Sequence, residues 1–250
     1  TKAIEINPNS LDAYNNRGNA LIKLKKNESA LKDFDQAIKI KPNFAQAYNN
    51  RGVVLKDLNR FDSALDSSNK AIEINPNYTY ALHNRGFAKN IIGDYEGALI
   101  DLNKAIKSDP KDINSYKSRA VAKDGLGDYE GAILDINFVV NINPKDLRAI
   151  ISRGQIKSKI NDHSGSIKDY SRVLELDPNN KDAIYLRGVE KYKLKNYQKA
   201  IDDFNTVIKR NGQIDTRIYS YRGDKTYYYK NITFTRHAYL EAWRLHFQAI

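Results

Sequence analysis

Apolar positions along this chain recur in paired stripes. Leu11, Tyr14, Gly18, Leu21 and Leu24 fall at three- and four-residue steps, and Ala30, Leu31, Phe34, Ala37 and Ile38 repeat the pattern shortly afterwards. Such spacing predicts two amphipathic helices, because it brings these positions onto one face of each. Pro42 ends the second, since proline lacks an N–H and pushes the preceding residue out of the α region. Asn and Asp residues around the proline offer caps to a following helix.

The whole pattern returns every 34 residues. Arg17-Gly18, Arg51-Gly52, Arg85-Gly86, Arg153-Gly154 and Arg187-Gly188 keep this register, with Arg119-Ala120 in the remaining place. All six prolines, Pro8, Pro42, Pro76, Pro110, Pro144 and Pro178, keep it too. Ala30, Ala64, Ala98, Ala132, Ser166 and Ala200 form a column of small residues, and Ala37, Ala71, Ala105, Val139, Val173 and Val207 form another. Aromatics at Phe61, Tyr95, Tyr129 and Tyr197 open second helices. One hairpin cannot bury its apolar face alone, so neighbours must stack. Gly18 and Ala30 are small, which predicts a close approach of the paired helices at that pair.

A unit with these columns resembles the tetratricopeptide repeat (TPR) family, and the resemblance covers about residues 3–210. It implies an all-α fold: a right-handed α-α superhelical solenoid of stacked helix-turn-helix repeats, with first helices lining a concave face that binds extended peptides. Six repeats are expected, at 11–44, 45–78, 79–112, 113–146, 147–180 and 181–214. Residues 1–10 read as the end of a truncated preceding repeat. Residues 215–250 read as a divergent capping hairpin, with an aromatic docking or self-association surface as the alternative. The chain opens at Thr1 and contains no methionine, so it is expected to be an excised segment. A signal could then be missing, and a cytoplasmic location is only a default.

Cysteine is absent, which excludes disulfides and thiolate metal sites. No membrane span is expected, because no apolar run is long enough. The four histidines are scattered, and neither a His-Glu-x-x-His motif nor a glycine-rich phosphate loop occurs. No catalytic residue, metal, cofactor or small-molecule substrate is expected. The net charge of +11 admits acidic proteins, anionic surfaces and nucleic acid as partners. Varying groove positions argue against a repeat-by-repeat base code, leaving non-specific phosphate binding as the nucleic-acid alternative.

Two columns carry the charge argument. Arg17, Arg85, Arg119, Arg153 and Arg187 each have an acid at the matching place in the second helix, namely Asp33, Asp101, Asp135, Asp169 and Asp203. These are expected to form structural ion pairs, in preference to a phosphate-binding stripe. In the second repeat Ser67 stands where the acid is expected, opposite Arg51. A lysine column at Lys89, Lys123, Lys157 and Lys191, with Lys117 nearby, reads either as solvated surface or as a positive groove lining suited to an acidic or phosphorylated segment.

Asparagines give the candidate binding residues. Asn16, Asn50 and Asn84 recur with the repeat and follow Asn15, Asn49 and His83, with Asn19 on the same helix. An amide offers both a donor and an acceptor, so three at the repeat spacing could form a ladder along a peptide backbone. This is similar to the asparagine ladder of O-linked N-acetylglucosamine transferase; plain solvation of a helix face is the alternative. The expected groove set is Asn16, Asn19, Asn49, Asn50, His83, Asn84, Lys117 and Lys123. Asn19 and Asn50 suit the family's clamp for a terminal carboxylate, but Asn15, Tyr80 and Asn84 replace its cations. The expected ligand is therefore an internal segment of a protein.

Overall fold

The computed structural model describes residues 2–210 and the two segments 226–229 and 232–235. After α1 (Lys2–Ile6), first and second helices alternate: α2 (Leu11–Lys23), α3 (Asn27–Ile40), α4 (Ala45–Asp57), α5 (Phe61–Ile74), α6 (Thr79–Ile92), α7 (Tyr95–Ser108), α8 (Ile113–Gly125), α9 (Tyr129–Ile142), α10 (Leu147–Lys159), α11 (His163–Leu176), α12 (Lys181–Lys193) and α13 (Tyr197–Arg210). The chain divides into two compact units, Thr1–Val139 and Val140–Ile250.

Local chemistry explains the element ends. Ser10, Asp112, Asp146 and Asn180 cap first helices by accepting backbone N–H bonds. Phe44 and Tyr78 hold the same place ahead of α4 and α6, where no side-chain cap forms. Capping by the residues around each proline is therefore not uniform. Every turn inside a hairpin passes through one left-handed residue: Lys25, Asn59, Gly93, Gly127, Asn161 or Lys195. This backbone reversal keeps the repeat's register although its residue types differ.

Within hairpins the helices pair sixteen residues apart. A Cβ on Gly18 would lie 2.6 Å from the Phe34 ring, and one on Gly86 would lie 2.7 Å from Leu102 Cγ. The glycine thus makes room for a large side chain as well as for the small-residue column: Gly52 faces the Ala64 carbonyl and Ser166 Oγ donates to the Gly154 carbonyl, the places that Gly18 and Ala30 hold in the first hairpin. In the second hairpin Ser68 takes the place of Phe34, and Gly52 faces Ser68 and the Ala64 carbonyl instead.

In the N-terminal unit, Ala30, Leu31 and Phe34 of α3 share a core with Val54 and Leu55 of α4 and Ala64 of α5. Further along, Ala98 and Leu102 of α7 join Ala122 of α8. In the C-terminal unit, Val173 of α11 packs with Ala183 of α12 and Ile150 of α10. Within each unit, α3, α7 and α11 therefore seal against the first helix that follows, which is how stacking buries stripes that one hairpin leaves open.

The helical reading does not extend to all of the C-terminal segment. β1 (Thr226–Tyr229) pairs antiparallel with β2 (Ile232–Thr235), setting Thr226 opposite Thr235 and Tyr229 opposite Ile232. The Tyr227-Tyr228-Tyr229 run lies in β1, where β-branched and aromatic residues suit a strand. The rest of the capping hairpin expected at 215–250 lies outside the described residues.

Candidate functional site

Most of the predicted charged residues are brought together inside hairpins. Arg17 donates to Asp33 through Nε at 2.7 Å and Nη2 at 2.6 Å, and Arg85–Asp101, Arg119–Asp135 and Arg187–Asp203 share this forked geometry. Arg153 grips Asp169 in the same way. The aspartates are buried, so each needs a counter-charge and donors that replace lost water. Hydrogen bonds donated to the aspartates raise Arg17 and Arg119 above the usual arginine range, against the opposing effect of burial.

The lysine column joins this network. Lys89 Nζ lies 3.0 Å from Asp101 Oδ2, Lys123 lies 3.0 Å from Asp135, Lys157 lies 2.9 Å from Asp169 and Lys191 lies 2.6 Å from Asp203. Lys89 and Lys123 also donate to the carbonyls of Gly97 and Gly131. Lys123, expected as a groove cation, is accordingly committed to Asp135, and the lysine column is paired within its own hairpins and not freely solvated. Each lysine follows its arginine by four residues, which sets both cations on one helical face before the same carboxylate.

Arginine also reaches back to the preceding hairpin. Arg85 donates to Asn69 at 3.0 Å, Arg119 to Asn103 at 2.8 Å and Arg187 to Ser171 at 3.5 Å. Arg51, facing Ser67, bonds that hydroxyl and turns its Nε to Asp35 of the previous hairpin, both at 2.7 Å.

The asparagines bond to one another across neighbouring first helices. Asn50 Nδ2 donates to Asn15 at 3.0 Å and Asn19 at 3.1 Å, while Asn49 donates to Asn50 at 3.2 Å. Asn84 donates to Asn49 at 2.9 Å, and His83 Nε2 lies 3.4 Å from Ser118 Oγ. Asn49 is buried within this ladder, which corrects its place in the expected groove set. Both Asn50 N–H groups are likewise engaged internally. A buried amide left unsatisfied is costly, so adjacent helices this close recruit their own side chains first. Asn16 remains exposed, whereas Asn19, Asn84, His83 and Lys117 are half-buried. Burial lowers the His83 pKa and nearby Lys56 adds to that, while Asp112 pulls the other way.

Solvent meets a mixed stripe on α6. Tyr80, Asn84, Phe87 and Ile91 fall at helical spacing on one side. Tyr80 is 70% exposed and Ile91 50%. Val53 and Val121 hold the Phe87 position in the hairpins on either side, and Val121 is 53% exposed. Lys56 Nζ sits 5.2 Å from the centre of the Phe87 ring.

A second cluster, in the C-terminal unit, escaped the sequence reading. Glu190 is buried where Val54, Ala88, Ala122 and Ile156 stand in other repeats. It accepts from Ser158 Oγ at 2.8 Å and Lys193 Nζ at 2.9 Å, and lies 2.7 Å from His163 Nδ1. His163 occupies the aromatic column's position. That paired departure, aromatic to histidine and apolar to glutamate, was the available signal. Among the described residues, no group of acids and histidines is arranged to hold a metal ion, and no helix is long and apolar enough to cross a membrane.

Comparison with known proteins follows the same periodicity. Family profiles described as tetratricopeptide repeat match residues 1–32, 45–78, 79–112, 147–180 and 182–214, and one described as TPR repeat matches 18–59. No curated protein matches the chain by sequence. Among similar solved structures, Pseudomonas aeruginosa pilF is 16% identical over 96% of each chain, with a TM-score of 0.69. YrrB, described as a TPR protein with an unusual peptide-binding site, is 22% identical over 72% of this chain and 93% of its own, with a TM-score of 0.61. MamA from Desulfovibrio magneticus RS-1 is 21% identical over 68% of this chain and 96% of its own, with a TM-score of 0.62. At such identities the likeness is one of fold.

Proposed function

We propose that this chain, which belongs to the tetratricopeptide repeat family, is a protein-interaction scaffold that holds an extended segment of a partner along its first helices. The observation that carries the reading is a row of exposed Tyr80, Ile91 and Val121 with half-buried Phe87 and Val53 between them. Exposed apolar side chains in a row mark a surface that gains from being covered. An extended chain suits it because successive side chains can meet successive hairpins.

Asn16, Asn84 and Lys117 would give the segment polar partners at the edges of the row. The asparagine ladder has a different part from the one its composition suggests. With Asn50 committed to Asn15 and Asn19, the ladder chiefly fixes the spacing of the helices that present the apolar row. A peptide site on YrrB is consistent with this use of the fold. Phosphate binding is less well supported, because four lysines that enlarge the basic count are already held by buried aspartates.

Selection from a displayed library of random linear peptides tests the reading. Convergent peptides should bind the wild-type chain and lose affinity for a Tyr80→Ser, Val121→Ser variant whose helical content and melting are unchanged. Equal capture by that variant would sink it.

A further inference from the structure

We infer that the segment held on this face presents a carboxylate side chain to Lys56 beside an apolar side chain that covers Phe87, so the partner is an acidic, apolar-bearing stretch of protein. The inference rests on the scaffold reading and specifies the ligand of that same face.

Lys56 stands apart from the paired lysines of other hairpins. Lys89, Lys123, Lys157 and Lys191 each meet a buried aspartate, and Lys193 meets Glu190. Lys56 is half-buried on α4, and its contact is with the face of Phe87; it forms no ion pair among the described residues. A cation over an aromatic ring is held in place by the ring's quadrupole. The ring leaves the ammonium group's charge uncompensated. A half-desolvated ammonium without an anion gains from an incoming carboxylate more than a fully solvated one does.

The surroundings narrow the ligand further. Phe87 lies between Val53 and Val121 in the row, so a chain reaching Lys56 also meets apolar surface on either side. The protein's net charge of +11 favours acidic segments over basic ones during approach. His83 beside Lys56 has a lowered pKa, so the imidazole adds no lasting positive charge and Lys56 is the local cation. The subsite therefore selects for Asp or Glu next to a large apolar residue, with discrimination against Lys and Arg by like-charge repulsion.

The test uses the full chain and the same displayed library of random linear peptides. Enriched peptides should contain a conserved Asp or Glu beside an aliphatic or aromatic residue. Lys56→Ala should weaken such a peptide by about fivefold, and replacing the acid with Asn or Gln should weaken it equally. The two changes together should cost no more than either alone, and a Lys56→Glu chain should regain affinity for a peptide carrying Lys at that place. Peptides that lose binding on Tyr80→Ser, Val121→Ser yet lack an acid, or ignore Lys56→Ala, would overturn the carboxylate subsite and leave the scaffold reading intact. Phosphate-bearing or nucleic-acid ligands that compete at Lys56 while no acidic peptide does would overturn it as well. If no peptide depends on the α6 face, both readings fall together.

Discussion

Arg119 and Asp135, on paired helices, meet with Nη2 2.6 Å from Oδ1, and Lys123 closes the other carboxylate oxygen at 3.0 Å. One buried anion thus holds two cations of the facing helix. Asp135→Ala strands both and is expected to cost about 2–4 kcal/mol. Arg119→Ala should also be costly, because it leaves only Lys123 to balance the aspartate. The double variant should lose less than the sum, as urea denaturation in a double-mutant cycle will reveal.

Glycine in the arginine-glycine pair has a steric duty that varies between hairpins. Gly86→Ala drives a methyl group into Leu102, at 2.7 Å from Cγ, and is expected to destabilise by about 1–3 kcal/mol. Gly52→Ala meets only Ser68 Oγ and the Ala64 carbonyl, both at 3.3 Å, and should cost less. Thermal melting of the two variants ranks them directly.

Acid should weaken the N-terminal unit through His83. Its folded pKa lies below the ordinary value because burial disfavours the cation. The unfolded chain therefore binds the proton first as pH falls below about 6.5. The stabilising contribution of neutral His83 is complete above that pH and is lost downwards through the folded pKa. His83→Asn should flatten this part of the stability profile. An unchanged slope would show that other groups control it.

Glu190 and His163 should behave as one substitution. Glu190→Ile alone strands His163 and Lys193 and is expected to cost about 1–2 kcal/mol. Adding His163→Tyr restores the aromatic–apolar pattern of the other hairpins and should recover most of that loss. Chemical denaturation of single and double variants measures the recovery.

Left-handed turns offer a gain. Lys25 has φ of 56° and Asn59 φ of 58°. Lys25→Gly should stabilise by about 0.5–1 kcal/mol, and Asn59→Gly by less, because asparagine tolerates this region better. A fall in melting temperature for Lys25→Gly would mean that its side chain contributes more than its backbone loses.

The helical period was legible because Arg-Gly, proline and small residues all mark it, and each answers to one local need. Side-chain partners were legible only where two columns faced each other in the same hairpin, as with Arg17 and Asp33. Asn49 and Asn50 read as groove residues because helical spacing gives a direction but not the distance to the next first helix. At that distance the amides reach Asn84 and Asn15. Lys123 was misread for the opposite reason. Its four-residue offset from Arg119 carried the answer, but its repetition along the chain suggested a surface stripe. The turn residues escaped because Lys, Asn and Gly share one backbone shape under different side chains. The strands at 226–229 and 232–235 escaped because residues 215–250 were taken as a divergent copy of the helical repeat.

Arg85, Arg119 and Arg187 each grasp a residue that precedes them by sixteen positions as well as one that follows. This gives the stack a direction in time. During synthesis the backward partner has already left the ribosome when its arginine appears, so α6, α8 and α12 each meet a seat already made. Cutting from the far end costs these arginines nothing in the hairpins that remain, whereas cutting just ahead of α6, α8 or α12 removes one partner of Arg85, Arg119 or Arg187. In these bonds a first helix depends on the hairpin before it, and that hairpin asks nothing of what comes after.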